Sequence, residues 1–131
     1  EIARLPMRLT DGCVAGATNY TVVSPTRVDV RDTCQVGTPT GREKAIGARG
    51  EILDPGTNAK LRARYVGGLI TWDYWVLDHA DDYSWFISAD PTFDKLWIYT
   101  REVPTPGQRA QLVERARNLG YDVSRLEFPA F

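Results

Sequence analysis

The chain has 131 residues, 43% hydrophobic and 25% charged, which is the composition of one globular domain with its own apolar core. Its 16 basic and 17 acidic residues leave a net charge of -1, so charge gives no reason to expect nucleic acid as a partner. No apolar run reaches the roughly 18 residues that a membrane-spanning helix needs. We therefore expect a single domain over residues 1–131.

The chain begins with three predicted strands. Residues 1–5 form the first, which ends at Pro6 because proline cannot donate to a strand ladder. Residues 14–23 and 27–31 alternate between polar and apolar side chains and pair as a hairpin about the Ser24-Pro25 turn. In the second strand of this hairpin, the valines face inward and the charged residues face outward.

The two cysteines, Cys13 and Cys34, fall close to opposite positions of this hairpin if one bulge is allowed. This placement favours a disulfide, which would close about twenty residues and contribute on the order of 3 kcal/mol. A disulfide would also indicate an oxidising compartment. Two unrelated buried thiols are the alternative.

Two more strands follow, over residues 43–53 and 60–65. The first is rich in small residues, which suits a tight bend in a closed sheet, and Asp54-Pro-Gly56 is a turn signal. Alternation in the second places Ala63 and Tyr65 on one face and basic residues on the other.

Three aromatic-rich runs then predict an antiparallel meander over residues 69–77, 83–89 and 95–101. Each run carries a tryptophan at a core position, in order Trp72, Trp85 and Trp97. Alternation places Trp72, Tyr74 and Val76 on one face of the first of these strands. In the same way it places Trp97, Tyr99 and Arg101 on one face of the third. For residues 83–89 it does not decide which face points inward, and side-chain bulk favours Trp85.

After Arg101 the hydrophobic period becomes helical. Thr105 and Gln108 form a capping box with Pro106 at the first helical position, and Gly120 closes a helix of about residues 106–119. Eight antiparallel strands joined mostly by tight turns close most simply into a barrel. We therefore expect an all-β fold, an eight-stranded antiparallel up-and-down β-barrel with one C-terminal α-helix packed outside.

Several segments together carry a family resemblance. They are Glu1-Ile-Ala-Arg-Leu-Pro-Met-Arg8, Asn58-Ala-Lys-Leu61, Asp73-Tyr-Trp-Val-Leu-Asp78 with Asp82-Tyr83, Leu96-Trp-Ile-Tyr-Thr-Arg101 and Leu119-Gly-Tyr-Asp122. In combination, over nearly the whole chain, they resemble the bacterial lipocalins of the outer-membrane and apolipoprotein D-like group. The resemblance implies an eight-stranded calyx that binds a small hydrophobic ligand and performs no chemistry.

One family feature is missing. The Gly-x-Trp segment that opens the first strand of these lipocalins would fall before Glu1. In the family its tryptophan packs at the closed end against the arginine that matches Arg101. We therefore expect a shortened first strand, and a closed end in which Arg101 lacks its aromatic partner, a contact of roughly 0.5–2 kcal/mol.

A binding calyx needs apolar walls and a few polar groups. Parity with Arg101, whose role is structural at the closed end, makes Trp97 and Tyr99 inward. The predicted ligand-binding residues are Thr18, Tyr20, Tyr65, Trp72, Tyr74, Val76, Trp85, Trp97 and Tyr99. The alternative is that these aromatic rings fill a solid core.

The sequence offers no catalytic constellation, metal site or cofactor motif. His79 is the only histidine and lies among Asp78, Asp81 and Asp82, a pattern more typical of a solvated turn than of a metal or acid–base site. The leading hypothesis is therefore a binding protein for a fatty acid, lysophospholipid or similar lipid. A lipocalin-fold enzyme and a filled barrel with a structural or interaction role are the alternatives.

The family resemblance also implies a location. Its bacterial members belong to the envelope, so we expect the periplasm, the outer membrane or secretion. A lipid anchor would require a cysteine upstream of Glu1, and such an anchor would add membrane association. Ligand identity and oligomeric state have no signal in the sequence.

Overall fold

The structure is a computed structural model that describes residues 1–131 except for the side chain of Leu9. It contains eight strands and one α-helix. The strands are β1 (Ala3–Arg4), β2 (Cys13–Ser24), β3 (Arg27–Val36), β4 (Glu43–Ile52), β5 (Lys60–Tyr65), β6 (Ile70–His79), β7 (Trp85–Ala89) and β8 (Leu96–Thr100). The helix, α1, spans Pro106–Asn118, and short 3₁₀ turns lie at Arg8–Thr10, Val66–Gly68 and Val123–Arg125.

All eight strands belong to one antiparallel sheet in the order β1-β8-β7-β6-β5-β4-β3-β2. The sheet curls until its two edge strands meet. There the Arg4 guanidinium donates to the carbonyl of Cys13 at 2.9 Å, and the Glu1 nitrogen donates to the carbonyl of Gly16 at 2.6 Å. The strand order and the curvature of the sheet confirm the predicted up-and-down barrel. The two hydrogen bonds just described join its edge strands.

The β2–β3 hairpin carries the predicted disulfide. Cys13 and Cys34 are bonded, with their Cα atoms 5.5 Å apart. The register shifts between Val14 and Ala17, and Ala15 there adopts a positive φ of 49°. This irregularity is the bulge that brings the two cysteines together, so the bond joins β2 to β3 where both strands approach the β1–β2 connection.

The bend predicted from small residues lies in β4. Gly50 pairs with Val28 on one side and Ala63 on the other. A Cβ added at Gly50 would lie 2.7 Å from the Val28 carbonyl oxygen and 2.8 Å from Cδ1 of Leu61. The neighbouring strands therefore approach too closely here for any side chain.

The apolar core formed by the buried side chains lies outside the barrel, between the sheet and α1. Leu112 and Ala116 of the helix are buried in one cluster with Ile87, Leu96 and Ile98 of β7 and β8. The predicted capping box is present, because the Gln108 amide donates to Oγ1 of Thr105 and the Thr105 amide donates to Oε1 of Gln108. The helix thus covers the outer face of the sheet, as the sequence predicted.

No helix in the described part of the chain combines the length and apolarity that crossing a bilayer requires.

Candidate ligand-binding cavity

The curled sheet encloses a cavity of about 500 Å³ whose walls are mainly apolar and which is partly open to solvent. Met7 and Thr10 of the β1–β2 connection line it, as do Lys44 and Ile70 near the starts of β4 and β6. These residues mark the mouth. The closed end lies opposite, at the β2–β3, β4–β5 and β6–β7 turns.

Seven of the nine predicted ligand-binding residues lie on the cavity wall. They are Thr18, Tyr20, Tyr65, Trp72, Tyr74, Trp97 and Tyr99. The Tyr74 ring lies between two indoles, 6.3 Å from that of Trp72 and 5.3 Å from that of Trp97. Strand alternation places these rings, because each shares a face with its neighbour two residues away. Their contact with a ligand stays a prediction.

Trp85 faces outward, so its predicted inward placement is wrong. It packs against the outer core beneath α1, and the Arg115 guanidinium lies 4.8 Å from its ring. Phe86 faces inward instead, stacked on Tyr99 at 5.0 Å and 6.3 Å from Tyr20. Bulk could not choose between the faces of β7, because the cavity lies on one side and the helix on the other.

Val76 also lies outside the cavity wall, contrary to its predicted place. It is one alternation step beyond Tyr74 and next to a register shift between Val76 and Asp78. Its partner in the β6–β7 ladder, Ser88, lines the cavity, whereas Val76 does not. The register shift follows Val76 directly, so the regular alternation of β6 ends at this residue.

Arg101 lies at the closed end as predicted, but its side chain does not point inward. Strand β8 ends at Thr100, and the exposed Arg101 donates from Nε to the carbonyl of Tyr83 at 3.0 Å. Because the strand has ended, alternation no longer fixes its direction. Arg101 instead ties the end of β8 to the β6–β7 turn.

Sequence reasoning missed a carboxyl group on the cavity wall. Asp32 lines the cavity, and its two oxygens accept hydrogen bonds from Thr18 at 2.7 Å and from the Tyr65 hydroxyl at 3.2 Å. Burial raises the pKa of Asp32, although both hydrogen bonds act in the opposite direction. The signal was available, because the alternation of Val28 and Val30 extends to Asp32.

The phenols next to Asp32 form a hydrogen-bonded chain. The hydroxyls of Tyr65 and Tyr74 are 2.9 Å apart, and Tyr65 also reaches Asp32. Burial raises the pKa of Tyr74 to about 12, so this phenol stays protonated at neutral pH. The wall therefore offers neutral hydroxyl groups beside one carboxyl group.

Arg4 was missed as well. It faces Trp97 across the β1–β8 ladder and is buried on the cavity wall. Its guanidinium contacts the carboxylates of Glu1 at 2.6 Å and Glu127 at 3.1 Å, and it donates to the carbonyl of Cys13. A buried arginine needs such partners. Because Glu127 is far away in the sequence, no local pattern could have revealed the arrangement.

The mouth carries basic side chains. Lys44 lines the cavity near its opening and is exposed, and the Lys95 ammonium lies 5.1 Å from the Trp72 ring. Cations at the mouth can contact a polar group that a bound ligand leaves in solvent.

His79 lies at the opposite end, in the β6–β7 turn. It is exposed, its Nδ1 is 2.7 Å from the carbonyl oxygen of Ala80, and its ring stacks on Tyr83 at 4.2 Å. These are the contacts of a solvated turn, away from the cavity.

A lipocalin-like domain model matches residues 1–130 of the chain. The chain belongs to the lipocalin family. Members of this family are generally binding and transport proteins rather than enzymes. The cavity described above is therefore the calyx of a lipocalin.

Two relatives show how far this lipocalin's sequence similarity extends. A putative lipocalin, R877, of Acanthamoeba polyphaga mimivirus is 31% identical over 133 residues, which is 96% of this chain and 76% of that protein. Temperature-induced lipocalin-1 of Arabidopsis thaliana is 40% identical over 58 residues, 44% of this chain and 31% of that protein. Because these relatives are viral and plant proteins, the bacterial subgroup stays a prediction.

Solved structures confirm the lipocalin fold. Lobster apocrustacyanin A1 matches with a TM-score of 0.71 at 14% identity, over 99% of this chain and 73% of that one. Apocrustacyanin C2 matches with a TM-score of 0.72 at 14% identity, over 99% of this chain and 73% of that one. The siderocalin Ex-FABP matches with a TM-score of 0.64 at 12% identity, over 99% of this chain and 86% of that one. At these identities the similarity shows the fold alone.

Proposed function

We propose that this lipocalin binds and carries a small hydrophobic ligand, a lipid with an alkyl chain such as a fatty acid or a lysophospholipid. The observation that supports this most strongly is the cavity of about 500 Å³ inside the barrel. Ligand pockets commonly enclose about 300–1,000 Å³ between mostly apolar walls with a few polar groups. A filled barrel with only a structural role would leave no such volume.

The walls supply the affinity. An alkyl chain lying against Trp72, Trp97 and Leu61 would remove apolar surface from water at about 25 cal/mol per Å². Ten methylenes at about 0.8 kcal/mol each give a gross gain of roughly 8 kcal/mol, from which the costs of ordering and association are subtracted. For ten methylenes alone the net gain is therefore below about 8 kcal/mol, which corresponds to a Kd weaker than about 1 μM.

We also propose that the protein works in the bacterial envelope, in the periplasm or at the outer membrane, or after secretion. The family resemblance of its sequence suggests this location. The Cys13–Cys34 disulfide supports an oxidising compartment, because such bonds are rare where thiols are kept reduced.

Tryptophan fluorescence tests the proposed ligand binding. Trp72 and Trp97 line the cavity, whereas Trp85 faces α1, so a ligand should change the emission of the first two. Dodecanol, dodecanoic acid and lysophosphatidylcholine are titrated below their micelle concentrations. A saturable change with one of them is expected.

The site is then assigned with a matched pair of variants. Trp97→Phe should lose a large part of the ligand-dependent signal, and Trp85→Phe should keep it, although both remove one indole from the same protein. The absence of a saturable change with every lipid class would contradict the proposed function. A signal lost only with Trp85 would place the ligand outside the barrel.

A further inference from the structure

The polar part of the cavity wall has a charge that an apolar carrier does not need. Asp32 lies between Thr18 and Tyr65, which occupy its two oxygens with hydroxyl donors at 2.7 Å and 3.2 Å. Among the side chains that the structure describes, no basic group lies within ion-pair distance of Asp32. Half-buried carboxylates without a cation are costly, so this one needs an explanation.

The other charges of the cavity are already matched. Arg4 contacts the carboxylates of both Glu1 and Glu127, so its positive charge is shared between two acids. Lys44 is the remaining base on the lining and is exposed near the mouth. The negative charge of Asp32 is therefore not matched by a basic side chain of the wall, because Arg4 is held by its two carboxylates and Lys44 is exposed near the mouth.

This distribution discriminates between ligand head groups. A cation placed beside Asp32 would gain a charge-assisted hydrogen bond in a site partly removed from water. A carboxylate in the same place would meet a like charge. A hydroxyl group would be tolerated there, because Tyr65, Tyr74 and Thr18 can each donate to or accept from it.

We propose that the cavity prefers, among amphiphiles of equal alkyl length, those that carry a protonated amine, and that Asp32 is the residue that recognises it. The inference rests on the proposed function, since the apolar walls must hold the alkyl chain. A fatty acid remains compatible with the cavity if its carboxylate stays at the mouth near Lys44. In that orientation it gains nothing from Asp32.

The test compares dodecylamine, dodecanol and dodecanoic acid by calorimetric titration at neutral pH and fixed salt. Dodecylamine is expected to bind about tenfold or more tightly than dodecanol, the gain typical of a hydrogen bond to a charged group. Asp32→Asn should abolish this preference, so that dodecylamine and dodecanol bind with similar affinity to the variant. The substitution is nearly isosteric and keeps an oxygen that accepts from Thr18.

Asp29→Asn is the matched control. Asp29 lies on the same strand, β3, and is exposed. Its substitution removes the same charge away from the cavity, so the preference for the amine should stay intact. Equal binding of amine and alcohol, or an equal loss in the Asp29 variant, would overturn the inference while leaving the proposed function in place. If none of the three amphiphiles binds, the proposed function fails and the amine preference fails with it.

Discussion

The close contacts of Gly50 with β3 and β5 give a sharp stability test. Ala in place of Gly50 would put a Cβ 2.7 Å from the carbonyl oxygen of Val28 and 2.8 Å from Cδ1 of Leu61. Leu61 can rotate, but the Val28 carbonyl belongs to the strand pairing of β3 and cannot move freely. Overpacking of this kind costs about 1–3 kcal/mol. At Gly47 in the same strand, the nearest atom, the carbonyl oxygen of Val30, is 3.7 Å away.

Gly47→Ala is therefore the control for Gly50→Ala. It should be neutral or stabilise by up to about 1 kcal/mol, because alanine restricts the unfolded chain. Urea unfolding followed by tryptophan fluorescence measures both variants. With a slope of about 1–3 kcal/mol per molar, Gly50→Ala should lower the midpoint by roughly 1 M. Equal midpoints for the two variants would refute the close approach at Gly50.

Three other perturbations test separate parts of the structure. Replacing Cys13 and Cys34 together by serine should lower the free energy of unfolding by about 3 kcal/mol, measured against the oxidised wild type. An unchanged free energy of unfolding would contradict the idea that the disulfide stabilises the fold by restricting the unfolded chain. Burial raises the pKa of Asp32 in the folded protein above its value in the unfolded chain. The contribution of protonated Asp32 to the free energy of unfolding is therefore complete below the unfolded-state pKa and is lost as pH rises through the folded-state pKa. Asp32→Asn should therefore gain stability relative to the wild type as pH rises above the unfolded aspartate pKa of about 3.9, and a pH-independent difference would be inconsistent with this. Ile70→Asp should weaken lipid binding because Ile70 lines the cavity, whereas Leu69→Asp at the adjacent exposed position should not; equal losses would remove Ile70 from the site.

The barrel was predictable because its information is local. Period-2 alternation fixes which residues share a face, and turn residues fix where each strand ends. Alternation put Trp97 and Tyr99 on one face of β8, and the family resemblance, through Arg101, suggested that this face points inward. Both residues line the cavity, and Leu96 and Ile98 pack outward beneath the helix. The capping box at Thr105 was equally local.

The failures arise where both faces of a strand are buried or where a strand ends. Trp85 and Phe86 are both bulky, and only the helix on one side of β7 decides which of them faces the cavity. Arg101 follows the last residue of β8, so the parity that places Tyr99 does not apply to it. Val76 lies directly before a register shift in the β6–β7 pairing, and the alternation of apolar residues does not reveal such a shift.

The charged residues of the cavity show a different limit. Asp32 continues an inward alternation, but a carboxylate on an inward face looks like an exception until Thr18 and Tyr65 are seen to bind it. Arg4 depends on Glu127, which joins it only in the folded chain. Polar groups inside a barrel are specified by partners on distant strands, and sequence spacing alone does not identify them.

The proposed function requires an alkyl ligand inside the barrel. Nuclear Overhauser effects between the alkyl protons of bound dodecanol and assigned side chains of the protein would locate that ligand. Contacts to Trp97 and Leu61 on the cavity wall are expected. Contacts confined to Val103 and other exposed apolar side chains that do not line the cavity would contradict this placement.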